Sequence, residues 1–137
     1  MATDRDGNPH RVVILLDTNA LLIPSRSGVD IFSGLLEIVG AFEPVVPAEV
    51  VSELHGLAQG RGKSAAAARF GLTLASRCRI LPKRDEEVPA DAIISLHAGE
   101  LSCPVLTNDR ELKERLFEEG VPVIVLRNQK RLELIRK

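Results

Sequence analysis

The sequence predicts an α/β domain of three layers, α/β/α, in which a five-stranded parallel sheet lies between helices. Short apolar runs alternate with segments of helical spacing along the chain, which is typical of parallel sheets with right-handed crossovers. The chain has 137 residues, of which 45% are hydrophobic and 27% charged, and this suits one hydrophobic core. We therefore expect a flexible polar lead at 1–10 and a single domain at 11–137.

The strands are predicted from short runs of branched apolar residues. Val12 to Leu16 are continuously apolar, as in a strand that is buried on both faces. Four further strands are predicted in the segments FEPVVP, CRILP, CPVLT and VPVIVL. The chain after Leu126 carries five basic residues and is expected to form a short exposed tail.

The first three predicted helices follow from helical spacing and from end signals. Residues 29–39 show that spacing and stop before Gly40. Pro47 suits the first turn of a helix that covers AEVVSELHGLA. Ser64 is expected to cap an Ala-rich helix that runs to about Arg77.

Two more helices complete the alternation. Pro89 suits the start of a helix that is expected to end at Gly99. Asn108 and Glu111 have the spacing of a capping pair, which predicts a helix that stops at Gly120.

Composition limits the classes of function. The four Phe are the only aromatic residues, which argues against surfaces that stack bases on aromatic rings, such as an RRM or an OB fold. The net charge is −1 and the isoelectric point about 6.3, so the chain does not resemble a simple basic nucleic-acid coat protein. An enzyme with an acidic metal site remains compatible, because its carboxylates cancel basic residues in the sum.

Cys78 and Cys103 lack the spacing of a zinc or redox motif and are expected to be reduced core thiols. The first residues are polar, so no signal peptide is predicted. No apolar run reaches the length of a membrane span. These features predict a cytoplasmic protein without a membrane partner.

Four acids are predicted at one edge of the sheet, where open parallel sheets bind ligands. Asp17 ends the first strand and Asp109 follows the fourth, while Glu53 and Asp91 lie early in the helices after the second and third. Each acid alone has another interpretation. Asp17 could cap the next turn, Asp91 and Asp109 suit helix N-termini, and Glu53 could be a surface residue with Glu49 as its rival or helper.

Grouped carboxylates indicate a cation. Two charges about 5 Å apart repel by roughly 3 kcal/mol at an effective dielectric of about 20. Oxygen ligands favour Mg²⁺ or Mn²⁺, which also bind phosphate oxygens. The predicted chemistry is metal-assisted hydrolysis of a phosphodiester, which requires no nucleophilic Ser or Cys and no His base.

Four segments of the chain together resemble the PIN-domain family, also named after the PilT N-terminus. They are LLDTNALL with Asp17, EVVSEL with Glu53, ADAIISLHA with Asp91 and TNDRELKERL with Asp109, and the resemblance extends over about 11–126. It implies a five-stranded parallel sheet between helices and an endoribonuclease that depends on Mg²⁺ or Mn²⁺.

The resemblance also implies roles for individual residues. The four acids would surround the metal, with Asp17, Asp91 and Asp109 as its ligands. Thr107 matches a position at which the family often has a small hydroxyl residue near the site. Asn19 matches one that supports the first acid. The family commonly forms homodimers through its helices.

Two branches of the family are similar to this chain. One contains the Vap-type toxins, which act beside an antitoxin protein, and the other is related to ribosomal RNA processing. The Pro-led helix, the basic glycine-rich turn and the Ala-rich helix at 45–75 look more like the second branch.

Basic residues could contact RNA phosphates. Arg61 and Lys63 lie in a turn that resembles a phosphate-binding loop, but Leu57 stands where that motif needs Gly, so no nucleotide cofactor is expected. The alternative is a solvated connection. Arg110 could bind a phosphate or pair with Glu114 one turn later. The basic tail has the same two interpretations.

Two other classes stay open at this point. The first is a catalytically inactive PIN-like module that binds RNA or a protein. The second is a phosphatase or a phosphoaspartyl receiver, since both also have an acid after their first strand. The segment Asp17-Thr18-Asn19 only approaches the DxD motif of such phosphatases.

Overall fold

A computed structural model describes residues 11–84 and 87–136, so the predicted lead at 1–10 lies outside the described residues. Its strands are β1 (Val12–Leu16), β2 (Phe42–Pro47), β3 (Arg79–Leu81), β4 (Val105–Leu106), β5 (Val123–Arg127) and β6 (Arg131–Ile135). They form one sheet in the order β3-β2-β1-β4-β5-β6. The pairs among the first five strands are parallel, which confirms the predicted α/β class.

The sheet has a sixth strand in the segment that was predicted to be an exposed basic tail. Residues Arg131–Ile135 pair antiparallel with β5, from Arg127↔Arg131 to Val123↔Ile135. The two strands are joined by a three-residue turn, 128–130, in which the N–H of Lys130 donates to the carbonyl oxygen of Arg127 at 3.0 Å. Asn128 and Gln129 lie inside this bond with φ values of 53° and 57°, both in the left-handed region. The prediction of five strands was therefore wrong by this edge strand.

The helices are α1 (Thr18–Ser27), α2 (Ile31–Val39), α3 (Ala48–Ala58), α4 (Lys63–Ala75), α5 (Ala90–Leu101) and α6 (Arg110–Glu118). The last five match predicted helices, whereas α1 was not predicted. It contains Pro24, which lacks the N–H that an α-helix uses at that position. Its buried residues are Ala20, Leu21, Leu22 and Ile23, so packing outweighs the proline.

Two predicted helix ends differ from the structure. Ser64 does not cap α4, because the N-cap is Gly62 at φ 88° and no side chain bonds the first turn. Helix α5 continues past Gly99 to Leu101, since Gly99 has no left-handed backbone and the helix ends instead at Ser102 with φ 50°.

The predicted capping pair of Asn108 and Glu111 is also wrong. Asp109 is the N-cap of α6, and its carboxylate accepts a hydrogen bond from the backbone N–H of Leu112 at 2.9 Å. Asn108 has another role. Its side chain accepts from the N–H of Leu126 at 2.7 Å and so ties the end of β4 to β5.

The core holds α1 tightly against α4 at Gly71. A Cβ at this position would lie 3.1 Å from the carbonyl oxygen of Leu21 and 3.3 Å from Cδ2 of Leu54. Because α1 begins directly after Asp17, this close approach fixes the helix that borders the carboxyl end of β1.

Cys103 is buried and Cys78 is half-buried, and both are free thiols whose burial raises the pKa to about 12. None of the helices in the described ranges is long and apolar enough to cross a membrane.

Candidate active site

The carboxyl ends of β1 and β4 bring Asp17 and Thr107 together. Leu16 of β1 and Leu106 of β4 are paired in register, and each strand is followed by one of these two residues. The hydroxyl of Thr107 donates to Oδ2 of Asp17 at 2.5 Å, and Thr107 is completely buried. Thr107 therefore contacts the first acid directly, while its role in the site stays a prediction.

Asp17 is a buried carboxylate with both oxygens engaged. Its side chain is 6% exposed, and Oδ1 accepts from the backbone N–H of Ala20 at 2.7 Å, which makes Asp17 the N-cap of α1. Its pKa is raised from 3.8 to about 7, chiefly by burial and to a smaller extent by the charges of Asp109 and Glu53, against the lowering effect of the bonds from Thr107 and Ala20. A nearby cation would stabilise the ionised form.

Asp109 is joined to Asp17 through Thr107. Its backbone N–H donates to Oγ1 of Thr107 at 3.0 Å, while that hydroxyl donates onward to Asp17. Its side chain is exposed and uses Oδ1 to cap α6. One threonine thus sets the relative position of two of the predicted acids.

Glu53 lies on α3 and faces the start of α1. Its Oε1 accepts from the hydroxyl of Thr18 at 2.5 Å. Thr18 was not predicted as a site residue, although its position directly after the first acid was a usable signal. Its hydroxyl orients a carboxylate that comes from a different helix.

Glu49 lies one turn before Glu53 on the same helix, and the sequence left its role open. Its Oε2 accepts from the backbone N–H of Arg84 at 2.9 Å. Its Oε1 is buried without a hydrogen-bond partner among the described residues. The guanidinium of Arg84 also binds Glu100 through two bonds of 2.6 and 2.9 Å, which holds this part of the loop against α5.

One cavity of about 260 Å³ brings the acids together, and we call it the acid cavity. Its lining includes five acids: Asp17, Glu49, Glu53, Asp91 and Asp109. Asp91 comes from the first turn of α5. Thr18, Asn19 and apolar side chains such as Leu22, Leu57 and Ile94 complete the wall. All four predicted acids therefore line the same space.

Asn19 lines the acid cavity at its edge. Its Oδ1 accepts from the backbone N–H of Asn108 at 2.8 Å. Because Asn108 is itself bonded to β5, this contact ties the start of α1 to the ends of two strands. Asn19 thus contacts the backbone at Asn108, and its support of Asp17 stays a prediction.

The donor set fits a hard divalent cation. The described lining of the acid cavity offers carboxylate, hydroxyl and amide oxygens and no Lys, Arg or His. The unpartnered Oε1 of Glu49 and the desolvated Asp17 are groups that a cation would stabilise. Within the ranges described, no three acidic, His or Cys side chains are close enough together to hold an ion, so the acids surround the cavity without converging on one point.

The predicted basic contacts lie outside the acid cavity. Arg61 and Lys63 are exposed residues before and at the start of α4. Arg110 pairs with Glu114 at 3.4 Å, and their side chains are 89% and 67% exposed. This pair matches the alternative interpretation of Arg110, and it contributes little stability because both groups are solvated.

Sequence comparison gives relatives over most of the chain. The family model described as "PIN like domain" matches residues 14–129. Ribonuclease VapC9 of Archaeoglobus fulgidus is 32% identical over 133 residues, which are 96% of each chain. Ribonuclease VapC4 of Methanocaldococcus jannaschii is 27% identical over 125 residues, 88% of this chain and 95% of the relative.

Solved structures have the same fold. The PIN domain endonuclease Utp24 superposes with a TM-score of 0.76 at 25% identity, covering 93% of this chain and 94% of that one. The VapBC-1 structure from nontypeable Haemophilus influenzae gives a TM-score of 0.57 at 17% identity, covering 78% of this chain and 94% of that one. This likeness concerns the fold alone.

Proposed function

This chain belongs to the PIN-like domain family, and we propose that it is an endoribonuclease that hydrolyses RNA phosphodiester bonds with Mg²⁺ or Mn²⁺. The observation that supports this most strongly is the acid cavity, in which acids from the ends of β1 and β4 and from α3 and α5 line one space. The two relatives with curated names are both called ribonucleases. Family membership also argues against the phosphatase and receiver alternatives.

Asp17, Asp91 and Asp109 are the proposed metal ligands, and Glu53 is the fourth catalytic acid. When bound, a divalent ion would supply an activated water and would stabilise charge on the phosphate. The hydroxyl of Thr107 orients Asp17 by a hydrogen bond of 2.5 Å to one carboxylate oxygen, and the hydroxyl of Thr18 orients Glu53 in the same way. Such fixed carboxylates lower the cost of ordering the site when substrate arrives.

The hydrolytic assignment also agrees with the groups that line the acid cavity. Its described lining contains no Ser, Cys or His, and its one hydroxyl, that of Thr18, donates to Glu53. The apolar wall of Leu22, Leu57 and Ile94 would limit the water around a bound phosphate. Both features support metal-assisted attack by water over a covalent intermediate.

A gel assay of the purified protein on structured and single-stranded RNA tests this function. We expect cleavage with Mn²⁺ or Mg²⁺, none with EDTA, and none by Asp17→Asn, which should remain folded. Cleavage that persists in EDTA would contradict the metal dependence. A protein that binds RNA and metal without cleaving any RNA would favour the inactive binding module.

The biological role has two candidates. The names of both sequence relatives favour a Vap-type toxin with an antitoxin partner, while the Pro-led helix, the basic turn and the Ala-rich helix favour the branch related to ribosomal RNA processing. The likeness to the PIN domain endonuclease Utp24 agrees with either role. Expression in cells separates them. A toxin should arrest growth unless a small partner protein is co-expressed, whereas a processing enzyme should leave growth intact and alter precursor RNA when it is depleted.

We also propose a homodimer, as is common in this family. Exposed apolar side chains on the helices, including Leu36 at 57% and Phe70 at 46% exposure, would be covered in such an assembly. Light scattering after size-exclusion chromatography should give twice the mass of the 14.9 kDa chain. The mass of a single chain at micromolar concentration would contradict the proposal.

A further inference from the structure

Two further cavities lie along α1 beyond the acid cavity, and we call them together the Arg26 groove. Asn19 lines both the acid cavity and a neighbouring cavity of about 130 Å³. Arg26 lines that second cavity and also a third of about 480 Å³, together with Lys63 at the start of α4. Neighbouring cavities each share one lining residue, first Asn19 and then Arg26, so these two residues mark the order of the cavities along α1.

Arg26 differs from the paired arginines of the molecule. Arg79, Arg84, Arg110, Arg115 and Arg127 each form an ion pair with a glutamate. Arg26 and Lys63 are both exposed, and neither makes a side-chain hydrogen bond or ion pair with the residues that the structure describes. Both charges are therefore available to an anion in the groove.

The spacing suits a polyanion whose scissile phosphate lies in the acid cavity. Arg26 follows Thr18 by eight residues in α1, which corresponds to about 12 Å along the helix axis. Acids repel RNA unless a cation is bound, so contacts to flanking phosphates would offset part of that repulsion. A guanidinium offers several N–H donors that match phosphate oxygens.

We propose that Arg26 is a substrate-positioning residue that holds a backbone phosphate of RNA on one side of the cleaved bond, with Lys63 holding a phosphate further along. This inference rests on the proposed endoribonuclease function. The described lining of the groove contains no aromatic side chain, so the contact is to the backbone and is the same for every base. The groove sets the direction in which the strand leaves the site.

Fluorescence anisotropy with a labelled single-stranded RNA tests the groove, using Asp17→Asn protein to prevent cleavage and a series of KCl concentrations. We expect Arg26→Gln in that background to weaken binding by about tenfold, as for one charge-assisted contact. The slope of log affinity against log salt should fall by about 0.7. Lys63→Gln should have a smaller effect in the same direction, and Arg26→Lys should restore most of the slope.

Arg136→Gln is the matched control. Arg136 is exposed and follows β6, whose last residue pairs with Val123 at the amino end of β5. This end of the sheet is opposite the acid cavity, so the RNA contact considered for the basic tail is not expected at Arg136. Arg136→Gln removes one positive charge, as Arg26→Gln does, and should leave the slope of log affinity against log salt unchanged. If Arg136→Gln lowers the RNA affinity and the salt slope as much as Arg26→Gln does, the effect is one of general charge and contradicts the proposed role of the Arg26 groove.

Kinetics with the intact acids gives a second readout. Arg26→Gln should raise KM and leave kcat within about twofold, because a contact present in both ground and transition states affects binding alone. If the wild-type protein cleaves RNA while Arg26→Gln changes neither KM nor the salt slope, the groove is wrong and the proposed function stands. If the wild-type protein neither binds nor cleaves RNA, both proposals fail. If Arg26→Gln weakens binding of a protein partner alone, the groove belongs to that partner.

Discussion

The hydroxyl of Thr107 donates to Oδ2 of Asp17 across 2.5 Å, and it accepts the backbone N–H of Asp109 at 3.0 Å. One buried side chain therefore connects two acids at the ends of neighbouring parallel strands. Because Thr107 is completely buried, no water can replace its bonds.

Replacement of Thr107 by Val removes both bonds while keeping the shape of the side chain. We expect it to destabilise the protein by about 1–3 kcal/mol, since a buried carboxylate oxygen and a backbone N–H lose their partners. The bond from Thr107 lowers the pKa of Asp17, so its loss should shift the acid limb of the pH–rate profile to higher pH. Thr107→Ser keeps the hydroxyl and is the control, which should retain both the stability and the acid limb of the pH–rate profile. An unchanged profile in Thr107→Val would contradict this role.

Asp17 should make the metal-free protein less stable as pH rises. Its pKa is raised from 3.8 to about 7 by burial. Below pH 3.8 both the folded and the unfolded state are protonated and there is no penalty. Between 3.8 and about 7 the unfolded state ionises first, so stability falls, by roughly 4 kcal/mol at most from this group.

Asp17→Asn cannot ionise and isolates that effect. In EDTA, denaturant unfolding should show the variant as stable as the wild type at low pH and more stable by a few kcal/mol above pH 7. The difference should reach a plateau there. Equal stabilities across the whole pH range would mean that the carboxylate of Asp17 is not desolvated in the folded state.

Metal binding should stabilise the folded protein through the acid cavity. At a Mn²⁺ concentration of about 100 times Kd, linkage predicts a gain of about 2.7 kcal/mol, visible as a rise in Tm. Asp91→Asn and Asp109→Asn should reduce this rise. Glu111→Gln, an exposed acid in the first turn of α6 that does not line the cavity, should keep it. A rise that is equal in all three variants would move the metal site elsewhere.

Gly71 should be required for the close packing of α4 on α1. Gly71→Ala would bring Cβ to 3.1 Å from the backbone oxygen of Leu21, which cannot give way as a flexible side chain could. We expect a net loss of about 1–2 kcal/mol despite the better helix propensity of Ala. Gly56→Ala on α3 meets nothing within 4 Å and should stabilise by about 0.5–1 kcal/mol. Similar unfolding free energies for the two variants would contradict this account.

The sequence predicted the class of the fold and the edge of the sheet where the acids meet, because both depend on local order. The apolar run before Asp17 and the alternation of strands and helices suffice for that. Helix α1 was missed because Pro24 removes a helical hydrogen bond, and only the packing of its four buried residues compensates. Sequence periodicity cannot supply that tertiary term.

Strand β6 was missed because its charged residues suggested a solvated tail. The alternation of Leu132 and Leu134 with Arg131 and Glu133 was a usable signal for a strand with one buried face. The buried side of that strand faces α2, because a Cβ added at Gly34 of α2 would lie only 2.9 Å from Cδ1 of Leu132.

In the candidate site, the sequence identified the acids but not what orients them. The bonds from Thr18 to Glu53 and from Arg84 to Glu49 join residues 35 positions apart, and such pairs depend on how the elements pack. For the same reason Asn108 was assigned to a helix cap, although its partner is Leu126 on a neighbouring strand.

The most direct test of the central claim measures RNA cleavage and Mn²⁺ binding in parallel for the wild type, Asp17→Asn and Glu111→Gln. Cleavage would be followed on gels, binding by calorimetry and folding by circular dichroism. We predict that Asp17→Asn stays folded, loses cleavage by at least about a hundredfold and binds Mn²⁺ more weakly, while Glu111→Gln matches the wild type. Cleavage by Asp17→Asn at the wild-type rate would contradict the assignment of the acid cavity as the active site.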